Sequence, residues 1–486
     1  MLSRIPFTIG DLRIARTLAL AALLAGMSAP QVEPLTLVTE DGVTVYGELY
    51  RAAASADAPV VLLFHQGRGS SAEYPVIATR LMAAGYHAVA VDQRRGGDMF
   101  GRLNRTLAGA GEARASSYCD VYADLEATLG AARERGFTGP AIAWGSSYSA
   151  ALVLRLAIEH PDDIAAVASF SPASGEPMAG CEPEPWAERL EQPWFVARPA
   201  RELETGWIAE QFELFRGLGA TTLTAIDAHH GSSMLVPERN AASTEPAWRA
   251  LADFLYTHVP APGRGVTLDV DGWELVGDLT LPLTSGPYPA ALLLHNAAGS
   301  RDEQEALAIE LARRGIASLR LDLRGHGDSV NRGRFDPDDL EGTRHMIVDA
   351  RVDVRAAITA LPRLGDIAPT RIAVVGASYT GEAMAAAARD MNRYAAAYVA
   401  MSPGNFSDES IAAIDTSGAD WLLLRSRVEL PFFDELFAEI AAGSSAEIRV
   451  VPGSRHGTRI LASPGLVEQV ADWIEARIGE PRQGME

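Results

Sequence analysis

Residues 141–149 read Ala-Ile-Ala-Trp-Gly-Ser-Ser-Tyr-Ser, a short apolar run that stops at glycine and leads into a helical pattern over Tyr148–His160. An apolar run of that length fits a buried strand, and the spacing after it fits a helix. Small residues on both sides of Ser147 permit a tight turn between the two. Such a turn lifts the serine Oγ over the sheet edge and sets the helix N-terminus beneath it. Taken alone the stretch is only moderately specific, because a serine at a helix N-terminus is commonly a cap.

The stretch gains weight because it occurs twice. At an offset of about 230 residues, a period that means duplicated domains rather than a solenoid, Val374–Val375 leads into GASYTG at 376–381, with Ser378 in the equivalent place. The match extends outward. VVLLFH at 60–65 answers AALLLH at 290–295, and PWFVARPARE at 193–202 answers DWLLLRSRVE at 420–429. Gly85 and Asp92 answer Gly315 and Asp322, while HHGSSMLV at 229–236 answers RHGTRILA at 455–462. Two domains follow, 33–260 and 261–480, joined through the polar, Pro-rich THVPAPGRG at 257–265. In each, short β-type runs alternate with helical patterns, which predicts an α/β fold with a mostly parallel eight-stranded sheet flanked by helices. The leading strands differ: each lies just after an Asp-Gly pair, Asp41–Gly42 or Asp271–Gly272. They read as second arms of antiparallel hairpins.

A serine hydroxyl needs a general base, and the base needs an orienting carboxylate. His230 and His456 are the best bases, since each follows a strand and precedes a glycine. His229 is the weaker choice, because Arg455 takes its place in the second copy. Glu202 and Glu429 share a column just beyond a strand and give the chain order Ser, acid, His; Glu204 and Asp434 are nearby rivals. The oxyanion donors expected are the N–H groups of Tyr148 and Tyr379, which follow the serines. The second donors expected are those of Gln66 and Asn296, in the loops that begin at His65 and His295. These two histidines are read as loop supports. The arginine-rich loops Asp92–Gly97 and Asp322–Ser329 match neither a dinucleotide nor a phosphate loop. Arg94 and Arg324 are expected to tie them down. Residues 104–117 and 331–341 are the expected rims of the pockets.

The formal charge of -21 argues against nucleic acid and against a polybasic grip on lipid. All 42 basic residues are arginine, so no lysine base or Schiff base is available. No metal and no cofactor is implied, because no H-E-x-x-H or clustered Cys/His motif occurs. Cys119 and Cys181 are either a disulfide or two small buried residues, and the sequence leaves this open. Arg4, Arg13 and Arg16 precede an apolar run, Leu18–Met27, so residues 1–30 read as a secretory signal peptide. That places the chain outside the cell or in a periplasm, with no strong membrane association once the leader is removed. An uncleaved membrane anchor and a buried helix are the other readings.

DLRGHGDS at 322–329 together with GASYTG at 376–381 resembles the α/β-hydrolase family, nearest its dienelactone-hydrolase-like and small-esterase branches. The resemblance spans residues 35–478. It implies Ser147 and Ser378 as nucleophiles, His230 and His456 as bases, and acids near Glu202 and Glu429. It also implies a small-molecule acyl substrate, with esters, lactones or thioesters first and peptides or amides second. A duplicated scaffold kept for binding is the non-catalytic reading. The chain departs from the family pattern in both copies. Ser149 and Thr380 stand where the elbow has its second glycine, and Gln66 and Asn296 follow the loop histidine where glycine is usual. Glutamate takes the place of the commoner aspartate, and serine that of the dienelactone hydrolases' usual cysteine.

Overall fold

The computed structural model describes residues 31–109, 117–391, 395–404, 406–416, 418–432 and 446–479. The leader at 1–30, part of the first expected rim at 110–116, and the rival acid Asp434 lie outside them. The first sheet comprises β1 (Gln31–Val38), β2 (Thr44–Arg51), β3 (Val60–Phe64), β4 (His87–Asp92), β5 (Ala141–Ser146), β6 (Ile164–Phe170), β7 (Trp194–Pro199) and β8 (Thr221–Ala225). The second comprises β9 (Arg264–Val270), β10 (Trp273–Thr280), β11 (Tyr288–Leu294), β12 (Ala317–Leu321), β13 (Ile367–Ala377), β14 (Ala397–Met401), β15 (Asp420–Ser426) and β16 (Glu447–Val451).

Both sheets have one topology. The first runs β1-β2-β4-β3-β5-β6-β7-β8, and the second, read from its other edge, β9-β10-β12-β11-β13-β14-β15-β16. Central strands such as β3 are buried on both faces, which is why VVLLF shows no polar alternation. At the edge, β1 alternates over its last four residues, with Leu35 and Leu37 inward. The Asp-Gly pairs make the expected hairpins: β1 pairs antiparallel with β2, and β9 with β10. Gly42 and Gly272 adopt φ +83° and +78°, which suits glycine in a tight hairpin turn. From β3 onward the first sheet is parallel, because helical crossovers return the chain to the same edge. All the chemistry collects at the carboxyl ends of these strands, where the order reverses around β3.

Cys119 and Cys181 form a disulfide, with Cα atoms 5.6 Å apart. It sits at the start of the helix predicted over 120–135, which begins at Tyr122 behind a short 3-10 turn at Cys119–Val121. The domains meet through the helices Glu245–His258 and Glu305–Arg313. Leu283 and Ala312 of the second domain join the core of the first. Glu245 ties Arg80 to Ser285, Arg313 pairs with Asp253 at 2.6 Å, and the Tyr256 hydroxyl donates to Leu281 O at 3.0 Å.

Candidate active sites

Ser147 sits between β5 and the helix Tyr148–Glu159 with φ 61° and ψ −117°, a strained backbone for a side-chain-bearing residue. Ser378 has φ 57° at the same point of the second domain. The neighbouring strand holds each bend: Ser147 N donates to Phe170 O at 2.9 Å, and Ser378 N to Met401 O at 3.0 Å. Glycine before the serine is obligatory, since a Cβ on Gly145 would lie 2.3 Å from Ser149 O. Ser149 and Thr380 do not spoil the turn. The Ser149 hydroxyl donates to His65 O at 2.7 Å and accepts from Gln93 Nε2 at 2.9 Å, while that of Thr380 folds back onto Ala377.

The acids and bases lie together in both domains. Glu202 and Glu429 lie in 3-10 turns that follow β7 and β15. Glu202 Oε1 lies 2.6 Å from His230 Nδ1, and Glu429 Oε1 lies 2.5 Å from His456 Nδ1. In the second domain the relay is complete, with His456 Nε2 at 3.1 Å from Ser378 Oγ. His230 makes no hydrogen bond to Ser147 among the described residues. Burial raises each glutamate, but hydrogen bonds from histidine and serine outweigh it and hold both below the ordinary carboxylate range. Both are therefore ionised at neutral pH and fix the histidine tautomer with Nδ1–H toward the acid. His229 is exposed, and only its backbone is engaged, donating to Asn240.

The glycine after each histidine has a physical cause. Gly231 and Gly457 have φ +65° and +60°, and a Cβ there would strike Ser146 Oγ at 2.2 Å or Asn296 Oδ1 at 1.8 Å. The histidine loop thus packs directly on the elbow in one domain and on the oxyanion loop in the other.

The expected second oxyanion donors need correction. Gln66 N–H donates to Glu73 Oε2 at 2.9 Å, and Asn296 N–H donates to Glu303 Oε2 at 3.0 Å. Both are spent on a carboxylate that shapes the loop. The next N–H groups, Gly67 and Ala297, have no acceptor among the described residues, nor have those of Tyr148 and Tyr379. Gly67 with Tyr148, and Ala297 with Tyr379, are the donor pairs the geometry leaves free. His65 and His295 are fully buried, with Nε2 accepting from Gln93 N or Leu323 N at 3.0 Å. Burial lowers both, His65 to about 4, so they stay neutral. Arg94 and Arg324 tie their loops to Asp124 and Asp353.

Three pairs escaped the sequence reading: Glu73 with Glu303, Ser171 with Ser402, and Arg198 with Arg425. Ser171 Oγ donates to Glu202 at 3.1 Å and Ser402 Oγ to Glu429 at 2.8 Å. Arg198 pairs with Glu202 at 2.9 Å, and both arginines reach the carbonyl of the proline after the serine, Pro172 or Pro403. Each pair is an identity between the copies, and that signal could have found them. Among the described residues no group of three or more His, Cys, Asp or Glu could hold a metal, and no helix is long and apolar enough to cross a membrane.

The sheet order, with serine after the fifth strand, acid after the seventh and histidine after the eighth, defines the class: two α/β-hydrolase domains in tandem. Residues 55–212 match the family model described as serine aminopeptidase, S33. A dienelactone hydrolase from Anabaena variabilis is similar over 44% of this chain and 97% of its own, at 21% identity and TM-score 0.35. Est1E from Butyrivibrio proteoclasticus, solved with ferulic acid bound, is similar over 43% and 96%, at 17% identity and TM-score 0.35. A dienelactone hydrolase-like promiscuous phosphotriesterase from metagenomic libraries is similar over 44% and 98%, at 19% identity and TM-score 0.36. No curated protein matches the chain.

Proposed function

We propose that the chain is a serine hydrolase that cleaves small esters, lactones or thioesters through an acyl-enzyme, with one site in each domain. The observation that carries this reading is the unbroken relay Ser378 Oγ, His456 and Glu429 on a strained strand-to-helix turn. Ser378 Oγ attacks the carbonyl carbon, its proton passes to His456 Nε2, and the carbonyl electron pair moves onto oxygen. The N–H groups of Ala297 and Tyr379 receive that oxyanion. Collapse expels the leaving group, which takes the proton from His456. Water, deprotonated by the same histidine, then releases the acid and restores the serine. Ser147, His230 and Glu202 perform the same steps in the first domain once His230 swings onto Ser147. Peptide or amide cleavage is the second reading, favoured by the match of residues 55–212 to a serine aminopeptidase model.

Export is part of the proposal. The basic and apolar leader and the disulfide both suit an oxidising compartment. A fluorophosphonate probe tests the chemistry: Ser147 and Ser378 should both be labelled, each label vanishing in its own Ser→Ala variant. Ser378 should react faster, because its base is already in place. A folded protein that takes up no label at either serine is a binding scaffold, not a hydrolase.

A further inference from the structure

The first site carries a tyrosine beside its oxyanion loop, whereas in the second His326 stacks on Tyr379, with Phe335 stacked on His326. Tyr118 lies beside both residues whose N–H groups remain free for an oxyanion. Its hydroxyl is 3.1 Å from where a Cβ on Gly67 would stand, and its ring lies 4.6 Å from the Tyr148 ring, 31° from parallel. The Arg95 guanidinium sits over the same ring at 4.0 Å from its centroid. Two groups that close to one centroid cannot share a face, so the ring is sandwiched and only its hydroxyl edge is presented. That hydroxyl has no hydrogen-bond partner among the described residues. The next residue, Cys119, is bonded to Cys181, which is buried in the loop beyond β6.

The second domain shows what happens without these parts. Asp124 and Asp353 hold Arg94 and Arg324 alike, so the residue six before each is equivalent: Tyr118 in one domain, Ile347 in the other. Ile347 lies inside the continuous helix Leu340–Leu364, packed against the core, with no hydroxyl to offer.

Resting on the serine-hydrolase reading above, we propose that the Tyr118 hydroxyl is a third oxyanion donor of the first site. The Cys119–Cys181 bridge holds it over Gly67. A phenol O–H beside Gly67 stabilises the oxygen only as it gains charge, so its loss should fall on kcat rather than KM.

The test uses the full chain carrying Ser378→Ala, so that turnover reports the first site alone, with p-nitrophenyl acetate as substrate. Tyr118→Phe keeps the ring and should lower kcat about 100- to 1,000-fold, with KM unchanged within about twofold. Cys119→Ser with Cys181→Ser, or treatment with a thiol reductant, should lower kcat in the same direction. The companion chain carrying Ser147→Ala should be indifferent to reductant, since both cysteines lie in the first domain. A rise in KM at constant kcat for Tyr118→Phe makes the tyrosine a ground-state contact and overturns the proposal. Unchanged kinetics overturn it too. Labelling of Ser147 by fluorophosphonate separates the two failures. Labelled and active protein indifferent to Tyr118→Phe sinks this inference alone, whereas protein that neither labels nor turns over sinks the reading beneath it and this inference with it.

Discussion

The two domains solve one mechanical problem with different parts, and the differences come in compensating pairs. The histidine loop must be pinned beside the elbow. In the first domain Ser146 does this, its hydroxyl accepting from Ser232 N at 2.9 Å and donating to Glu73 at 2.8 Å. In the second, Ala377 stands in that place and cannot. Asn296 takes over, accepting from Thr458 N at 3.2 Å while its amide reaches Glu303 and the Thr458 hydroxyl. The acid shows the same exchange. Ser426 gives Glu429 its N–H and hydroxyl, each at 3.0 Å, where the first domain has Pro199, which has no N–H. There Arg198 supplies the second Oε with a charged donor. Duplication let each site drift, provided that every lost hydrogen bond was replaced from a neighbour.

The comparison is broken most decisively at the acids. Measured in chains with the other serine changed to alanine, Glu202→Gln and Glu429→Gln should each lower kcat by about 10⁴-fold, as expected when the base loses its orienting anion. If only one substitution does so, the other site is a scaffold, and the compensations there serve folding alone.

Glu73 gives the next effect, and it is read through pH. Its carboxyl is fully buried, whereas Glu303 is exposed. Burial pushes Glu73 up to about 7, against the pull of Gln66 N–H, the Ser146 hydroxyl and the charges of Arg239 and His230. An acid raised on folding binds its proton more tightly in the native state, so stability falls as pH rises from its ordinary value of 4.5 through about 7. The full cost above that range is on the order of 3 kcal/mol. Glu73→Gln should therefore flatten the fall in Tm between those pH values and leave the protein no less stable at pH 8. It should still slow the first site, because a neutral amide holds Gln66 and Ser146 less firmly than a carboxylate.

Much of this was legible in the sequence because the chain is its own comparison. The alternation of runs, the Asp-Gly hairpins and the strand-turn-helix at Ser147 fixed the sheet. The second copy chose His230 over His229 and Glu202 over its rivals. The free oxyanion donor lies one residue beyond Gln66 and Asn296, because the N–H groups of those two go to glutamates. Nothing local in the sequence says that a glutamate further along the chain folds back to take such an N–H, although Glu73 and Glu303 are identical in the two copies. Tyr118 is invisible for the opposite reason: its counterpart is Ile347, so the repeat does not mark it, and its position depends on a disulfide that composition leaves open.

The smallest effect tests the compensations themselves. Ser171 Oγ donates to Glu202 and also accepts from Gly231 N at 3.1 Å, so it joins the acid to the histidine loop. Ser402 Oγ serves Glu429, which keeps two further donors from Ser426. Ser171→Ala removes a bond to an ionised acid and strands a buried N–H, worth about 2 kcal/mol or roughly 30-fold in turnover at the first site. Ser402→Ala removes one donor of three on the same oxygen, which should cost about 1 kcal/mol or roughly fivefold at the second. Single-site kinetics read both numbers. Equal losses would mean that the donors from Ser426 do not share the load, and that the two acids are held less differently than their contacts indicate.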